Sequence, residues 1–330
     1  MWNTNNIPEL VARLLEGNIV ALSRAITLVE SRNPEHQPAA AALMDAVLSH
    51  SGKSIRIGIT GVPGVGKSTF IESFGMHWIK QGKKVAVLAI DPSSSKSKGS
   101  ILGDKTRMEK LSAHPDAFIR PTASGGSLGG ITFRTREAIL LCEAAGFDVI
   151  IVETVGVGQS ETEVSHITDF FLLLMLTGAG DELQGIKRGI MEMADGVVIT
   201  KADGQNLDKA KAARSEYARA LHFLPPTPSG WTPPVKIASA YDHTGIAEIA
   251  DMVESYVLKT TLNGFFLQHR QEQNLMAFDR LLQESIFRLL FNEAHFQAQV
   301  NNIRQQVEAG SLHPYSAVAG LVKDIRDRIK

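Results

Sequence analysis

The sequence predicts an α/β fold of three layers: a mainly parallel sheet between helices, with a helical segment before it and a helical arm after it. Three observations carry that prediction. Near-continuous apolar runs at residues 84–90 (KVAVLAI), 148–153 (DVIIVE), 170–176 (FFLLLML) and 196–200 (GVVIT) alternate with helical segments, the pattern of parallel strands covered on both faces. A glycine-rich turn joins the β-rich run 54–60 to a helical segment over 67–81. The first 50 residues and those after 258 carry helical rather than alternating periodicity.

In chain order, Ile7, Leu10, Val11, Leu14 and Leu15 recur at helical steps, and Ile19, Leu22, Ile26 and Val29 repeat them after Gly17 and Asn18. Asn18 suits an N-cap. Asn33 and Pro34 break the pattern, and a third helix is expected over 39–48. Residues 235–238 read as the last strand. The Ser/Gly-rich stretch 91–132 reads as a loop, and its length suits a compact domain only if the loop is functional. Near the end, Leu275, Phe278, Leu282, Ile286 and Leu289 form an amphipathic stripe. The expected division is a helical extension at 1–50, an α/β domain at 51–257 and a helical arm at 258–330.

Composition narrows the function classes. The 330 residues are 44% hydrophobic and 21% charged, which excludes a mainly disordered chain. Net charge is -1, from 34 basic and 35 acidic residues, so no global basic field holds nucleic acid or an anionic membrane. The single cysteine, Cys142, permits no intramolecular disulfide and no cysteine-based zinc site. Residues 1–6 lack the basic-then-apolar pattern of a signal peptide, and the run at 170–176 is too short to span a bilayer. A soluble, cytoplasmic protein with no nucleic-acid or membrane partner is expected.

The strongest motif is the turn itself. Gly61-Val62-Pro63-Gly64-Val65-Gly66-Lys67-Ser68 matches G-x-x-x-x-G-K-[ST] in full, and Thr69 follows. Such a P-loop needs glycines so that successive backbone N–H groups converge on phosphate oxygens, and a helix N-terminus adds its positive dipole end. Lys67 is expected to reach the β- and γ-phosphates, and Ser68 to ligate Mg²⁺. A carboxylate at a nearby strand end completes the metal site. Glu153 ends the run DVIIVE and opens Glu153-Thr154-Val155-Gly156, an E-x-x-G variant of the D-x-x-G element in which the Gly156 N–H could meet the γ-phosphate. Asp91, at the end of KVAVLAI, is a second candidate.

Thr200-Lys201-Ala202-Asp203 follows the strand GVVIT and resembles the N-K-x-D guanine motif with Thr in place of Asn. A carboxylate there accepts from guanine N1–H and the 2-amino group, donors that adenine does not offer in that geometry. The Lys201 stem can pack over the base with its charge in solvent. Ser239 and Ala240 resemble the S-A element whose backbone contacts guanine O6. GTP is therefore favoured over ATP. Ras-like GTPases place a water-positioning Gln directly after D-x-x-G, whereas Val157 stands there here and Gln159 lies two residues later. Slow intrinsic hydrolysis, accelerated by a partner or by loop ordering, is the expectation.

Taken together, GVPGVGKST, LAIDPSS, ETVGVGQSE, TGAGDELQGIK and ITKAD resemble the MeaB/ArgK/MMAA family of P-loop GTPases, and the resemblance covers essentially the whole chain. It implies a homodimeric G-protein chaperone that gates cofactor loading of adenosylcobalamin-dependent methylmalonyl-CoA mutase and protects or reactivates it, with GTP hydrolysis as the switch. It implies Mg²⁺ ligands at Ser68, Asp91, Asp104 and Glu153, a first switch over 91–107, a second from Glu153, and a third over 178–187 that communicates with the mutase. It assigns dimerisation to the C-terminal helices.

Other readings stay open. A nickel-insertion metallochaperone GTPase shares the P-loop architecture but calls for Cys/His ligands at close spacing, and the ten histidines here are scattered. A kinase or transport ATPase is disfavoured by Asp203. A non-catalytic nucleotide-binding scaffold is kept alive by Val157.

Overall fold

The computed structural model describes residues 4–31, 33–91, 108–123, 128–154, 160–178, 188–291 and 293–329. Within them, strands β1 (Ile55–Gly61), β2 (Val85–Asp91), β3 (Ala117–Ala123), β4 (Val149–Thr154), β5 (Phe170–Met175), β6 (Gly196–Ile199) and β7 (Val235–Ile237) form one sheet. Every pairing is parallel, in the order β3-β2-β4-β1-β5-β6-β7. The chain winds outward from β1 to β2 and β3, returns to β4, then crosses to β5 on the far side of β1. That reversal places the crevice of an open α/β sheet at the C-terminal end of β1.

Alternation along the strands separates two cores. Ile57, Ile59, Val85, Val87, Val149, Ile151, Phe170 and Leu172 face α4 (Lys67–Lys80), α5 (Glu109–Ser112) and α10 (Ile246–Leu262). Their neighbours Ala86, Leu88, Ile150, Val152, Phe171 and Leu173 face α6 (Leu128–Ala144), α7 (Ser160–Ser165), α8 (Arg188–Met193) and α9 (Leu207–His222). Strands covered on both faces cannot alternate apolar with polar, which explains their near-continuous apolar sequences. Gly58 breaks the apolar row because α7 crosses there: a β-carbon would lie 2.8 Å from Val164 Cγ1.

The N-terminal helices α1 (Ile7–Leu15), α2 (Ile19–Val29) and α3 (Gln37–Val47) add Leu14, Leu22, Ile26 and Leu43 to the second core. Gly17 turns the chain with φ +79°, and Asn18 caps α2 by accepting from Ala21 N at 2.9 Å. Arg120 of β3 holds α2 to the sheet edge, donating to Ser23 O at 3.1 Å and to Glu30 Oε2 at 2.7 Å.

Three elements depart from the expected loop over 91–132, one of them the start of α6 at Leu128. Residues 109–112 are helical and 117–123 form the edge strand β3 despite Pro121. An edge strand needs ladder donors on one side only, so it tolerates proline. Leu111 anchors α5, reaching within 2.8 Å of where a β-carbon on Gly75 would stand.

The entry ends of the strands carry buried charge. Arg56 makes a bidentate pair with Glu143 at 2.9 Å through both Nε and Nη2. Asp169 accepts from Arg56 N at 2.8 Å and from Arg270 Nε and Nη2 at 2.7 Å. Arg270 also donates to Ser54 O at 2.7 Å, so the first turns of α11 (Phe265–Phe291) are tied to β1 and β5. Each carboxylate is matched by a guanidinium fork, the condition under which buried charge is tolerated.

Asp195, at the entry of β6, has no such partner arrangement. Its Oδ2 accepts from Phe171 N at 2.9 Å, yet burial, reinforced by Asp169, pushes its carboxyl up to about 7. An unfolded aspartate titrates near ~3.9, so the native state holds this proton more tightly. The contribution is full below pH ~4 and is lost as pH rises through about 7. Asp195→Asn keeps an acceptor for Phe171 N and does not ionise. Its stability relative to wild type is expected to rise by about 1–3 kcal/mol between pH 5 and pH 8, read as the paired difference in urea midpoints. A difference independent of pH would show that Asp195 does not titrate in this window.

The chain divides into two compact units, residues 1–273 and 274–330. The second holds the later part of α11, α12 (Ala294–Glu308) and α13 (Pro314–Ile329), with Phe296, Val300 and Ala317 buried. No helix among the described residues is long and apolar enough to cross a membrane.

Candidate nucleotide site

Parallel strands deliver their C-terminal ends to one edge, and the candidate residues gather there. The turn after β1 leads directly into α4. Gly64 and Gly66 take φ +77° and +87°, the left-handed region that glycine enters without steric cost. Gly66 occupies the N-cap of α4 and no side chain caps that terminus, so the dipole end faces the loop. Lys67 Nζ donates to Gly61 O at 2.8 Å, folding the side chain back across the turn. Val65 is buried and Thr69 exposed.

Gly61 is required for a second reason. A β-carbon there would stand 2.5 Å from Leu174 O, in the strand paired with it. Backbone oxygen cannot yield without parting β1 from β5. Gly61→Ala is expected to cost about 1–3 kcal/mol of stability, measured by urea unfolding. A midpoint equal to wild type would mean that the two strands part at little cost there.

The register explains how Glu153 meets the P-loop helix. Val149 and Ile151 face α4, and period-two alternation puts Glu153 on the same side. It pairs with Ile59 in β1, is buried, and accepts from Ser68 Oγ at 3.3 Å. Thr154, on the opposite face, donates to Thr60 Oγ1 at 2.8 Å and locks the two strand ends together. Ser68 and Glu153 thus bring a hydroxyl and a carboxylate together, hard oxygen donors that fit Mg²⁺. Asp91 ends β2, but its side chain lies outside the described residues, as do Asp104, Gly156, Val157, Gln159 and residues 179–187. Among the described residues no cluster of three or more His, Cys, Asp or Glu could hold a metal.

The base-site candidates occupy the turns after β6 and β7, which pair with each other. Thr200, standing where the guanine motif has Asn, is buried and donates to Val65 O at 2.8 Å, tying that turn to the P-loop. Lys201 adopts φ +54°, and its Cε lies 3.9 Å from the position a β-carbon on Gly66 would take. Ala202 N donates to Ala238 O at 3.1 Å. Asp203 Oδ2 accepts from Ser239 Oγ at 2.7 Å, and Ala240 follows in the half-buried turn. Sequence reasoning expected only a backbone contribution from Ser239 and Ala240. The Ser239 hydroxyl, which orients the carboxylate, was missed, as was the role of Thr200. Both depend on adjacency between turns 36 and 135 residues apart in sequence, which no local spacing reports.

Comparison with known proteins follows the same lines. A family model described as methylmalonyl-CoA mutase-associated GTPase MeaB matches residues 22–295. The chain is 45% identical over 326 residues to GTPase ArgK of Escherichia coli, covering 99% of this chain and 98% of that protein. It is 42% identical over 332 residues to the mitochondrial methylmalonic aciduria type A homolog of Mus musculus, covering 98% of this chain and 80% of that protein. A crystal structure described as LAO/AO transport system kinase superposes with a TM-score of 0.77 at 39% identity, covering 99% of both chains. With its P-loop turn, parallel sheet and match along most of its length, the chain belongs to the MeaB family of P-loop GTPases.

Proposed function

We propose that this protein hydrolyses GTP to GDP and phosphate, and uses the cycle to gate cofactor loading of an adenosylcobalamin-dependent methylmalonyl-CoA mutase and to protect or reactivate it. The observation that carries the catalytic half is the Ser68–Glu153 contact beside the P-loop, on the same sheet edge as Asp203 and Ser239. The mutase half rests on the family match.

In this reading Gly61, Gly64, Val65, Gly66 and Thr69 surround the phosphates, and Lys67 neutralises charge on the β- and γ-oxygens. Water attacks the γ-phosphorus, the bond to the β–γ bridging oxygen breaks, and the water proton passes to phosphate. The N–H of Gly156 is the expected γ-phosphate contact. Ser68 and Glu153 would hold Mg²⁺, with Asp91 and Asp104 as the further ligands the family resemblance implies. When bound, the ion neutralises charge developing on the β- and γ-oxygens. Asp203 reads guanine N1–H and the 2-amino group, while Lys201, Ser239 and Ala240 frame the base.

The C-terminal arm is the proposed homodimer surface. Leu275, Phe278, Leu282, Ile286 and Leu289 on α11 are all exposed, Leu289 by 70%, and such a contiguous apolar stripe marks an association face.

Size-exclusion chromatography of the protein with methylmalonyl-CoA mutase, in GTP, GDP or no nucleotide, tests the switch role. The reading predicts a complex whose abundance changes with the nucleotide. Identical profiles in all three conditions would remove the switch role and leave the GTPase chemistry standing.

A further inference from the structure

The turn between β7 and α10 holds one residue constrained in both backbone and side chain. His243 has φ +62°, a left-handed conformation uncommon outside glycine. Its Nδ1 lies 2.6 Å from the hydroxyl of Ser73. Ser73 is a buried residue of α4, the helix that opens with Lys67 and Ser68. The rest of the turn is braced internally. Ser239 N donates to Thr244 O at 3.0 Å. Ser239 Oγ accepts from Tyr241 N at 3.3 Å while donating to Asp203. Thr244 Oγ1 donates to Asp242 Oδ1 at 2.9 Å. Gly245 closes the turn, and a β-carbon there would strike Ile237 O.

We propose that His243 is a positioning residue for guanine recognition. Strapped to Ser73, it fixes the Ser239 turn, and through the Ser239 hydroxyl the Asp203 carboxylate, relative to the helix that carries the phosphate-binding residues. The inference rests on reading Asp203, Ser239 and Ala240 as the guanine contacts. The His243–Ser73 strap ties the Ser239 side of the base site to the P-loop helix, as Thr200–Val65 ties the Asp203 side to the P-loop. Its loss weakens the guanine contacts and spares those to phosphate. ADP, whose base offers Asp203 neither donor, reports the phosphate half alone.

The test is calorimetric titration of GDP and of ADP into the full-length protein with Mg²⁺, for wild type and three variants. His243→Gly keeps the left-handed backbone accessible and removes the strap. His243→Asn also tolerates that backbone and carries a polar atom where Nδ1 stands. Ser73→Ala cuts the strap from the other side, so the reading survives a folding defect in either single variant. One hydrogen bond corresponds to about a fivefold change in affinity. GDP binding is expected to weaken about fivefold in His243→Gly and Ser73→Ala. ADP is expected to stay within about twofold of wild type, and His243→Asn to recover most of the GDP affinity. Unchanged GDP affinity in both strap-cutting variants overturns the proposal. So does an equal loss for GDP and ADP, which would place the role of His243 in the P-loop helix. A wild-type protein that binds ADP as tightly as GDP refutes the guanine reading itself, and the proposal with it.

Discussion

Alanine at Lys67 is expected to lower GTP turnover by about 10²–10³-fold while the protein stays folded. Lys67 stands in the first turn of α4, and its Nζ reaches back to Gly61 O at 2.8 Å. The ammonium is therefore held at the P-loop, where in the proposed function charge develops as the γ-phosphoryl departs. Phosphoryl transfer draws on positioning and electrostatics more than on covalent chemistry, so a preorganised cation contributes more to the rate than to the fold. The hydrogen bond to the Gly61 carbonyl is worth about 1 kcal/mol to the fold. Single-turnover phosphate release and thermal melting together separate the two effects. A large fall in turnover with a melting temperature within about 5 °C of wild type is predicted. Equal turnover in variant and wild type would favour a non-catalytic nucleotide-binding scaffold.

Asp203→Asn is expected to exchange one base for another. In the proposed function the carboxylate accepts two hydrogen bonds from guanine, from N1–H and the 2-amino group. Asparagine presents one acceptor and one donor, which suits a base carrying a 2-oxo group, as in xanthine. Charge-assisted hydrogen bonds contribute about 1.5–3 kcal/mol each. Asparagine still accepts from N1–H as a neutral group but sets its amide donor against the 2-amino donor, so GTP binding weakens by about 10–10³-fold, and XTP gains correspondingly. The exchange is well posed because Ser239 Oγ already holds Oδ2 at 2.7 Å, so the replacement amide meets a partner that can donate or accept. Competition of GTP, XTP and ATP against a fluorescent nucleotide measures all three affinities. If GTP affinity were unchanged, Asp203 would not be the base-reading residue.

The parts of the fold legible in sequence are those whose signal is local. Apolar runs marked β2, β4, β5 and β6 to within a residue or two because double-sided burial leaves no polar positions in them. Asn18 was readable as a cap because its partner, Ala21, lies three residues on. The edge strand β3 was not readable. It is buried on fewer sides, contains Pro121, and sits beside a Ser/Gly-rich stretch that dominated the reading. The P-loop was legible because eight consecutive residues carry its chemistry. Glu153 was legible through its place at a strand end, but its contact with Ser68 follows from register with β1. Thr200, Ser239 and His243 act across gaps in the chain that only folding closes. The bidentate pairs Arg56–Glu143 and Asp169–Arg270 were invisible for the same reason.

The most direct test is phosphate release from GTP and from ATP, each with and without purified methylmalonyl-CoA mutase. The prediction is slow release from GTP that the mutase accelerates, with ATP inert in both conditions. Turnover of ATP at a rate matching GTP would contradict the assignment of Asp203 as the guanine reader, and GTP turnover indifferent to the mutase would contradict the proposed coupling to that enzyme.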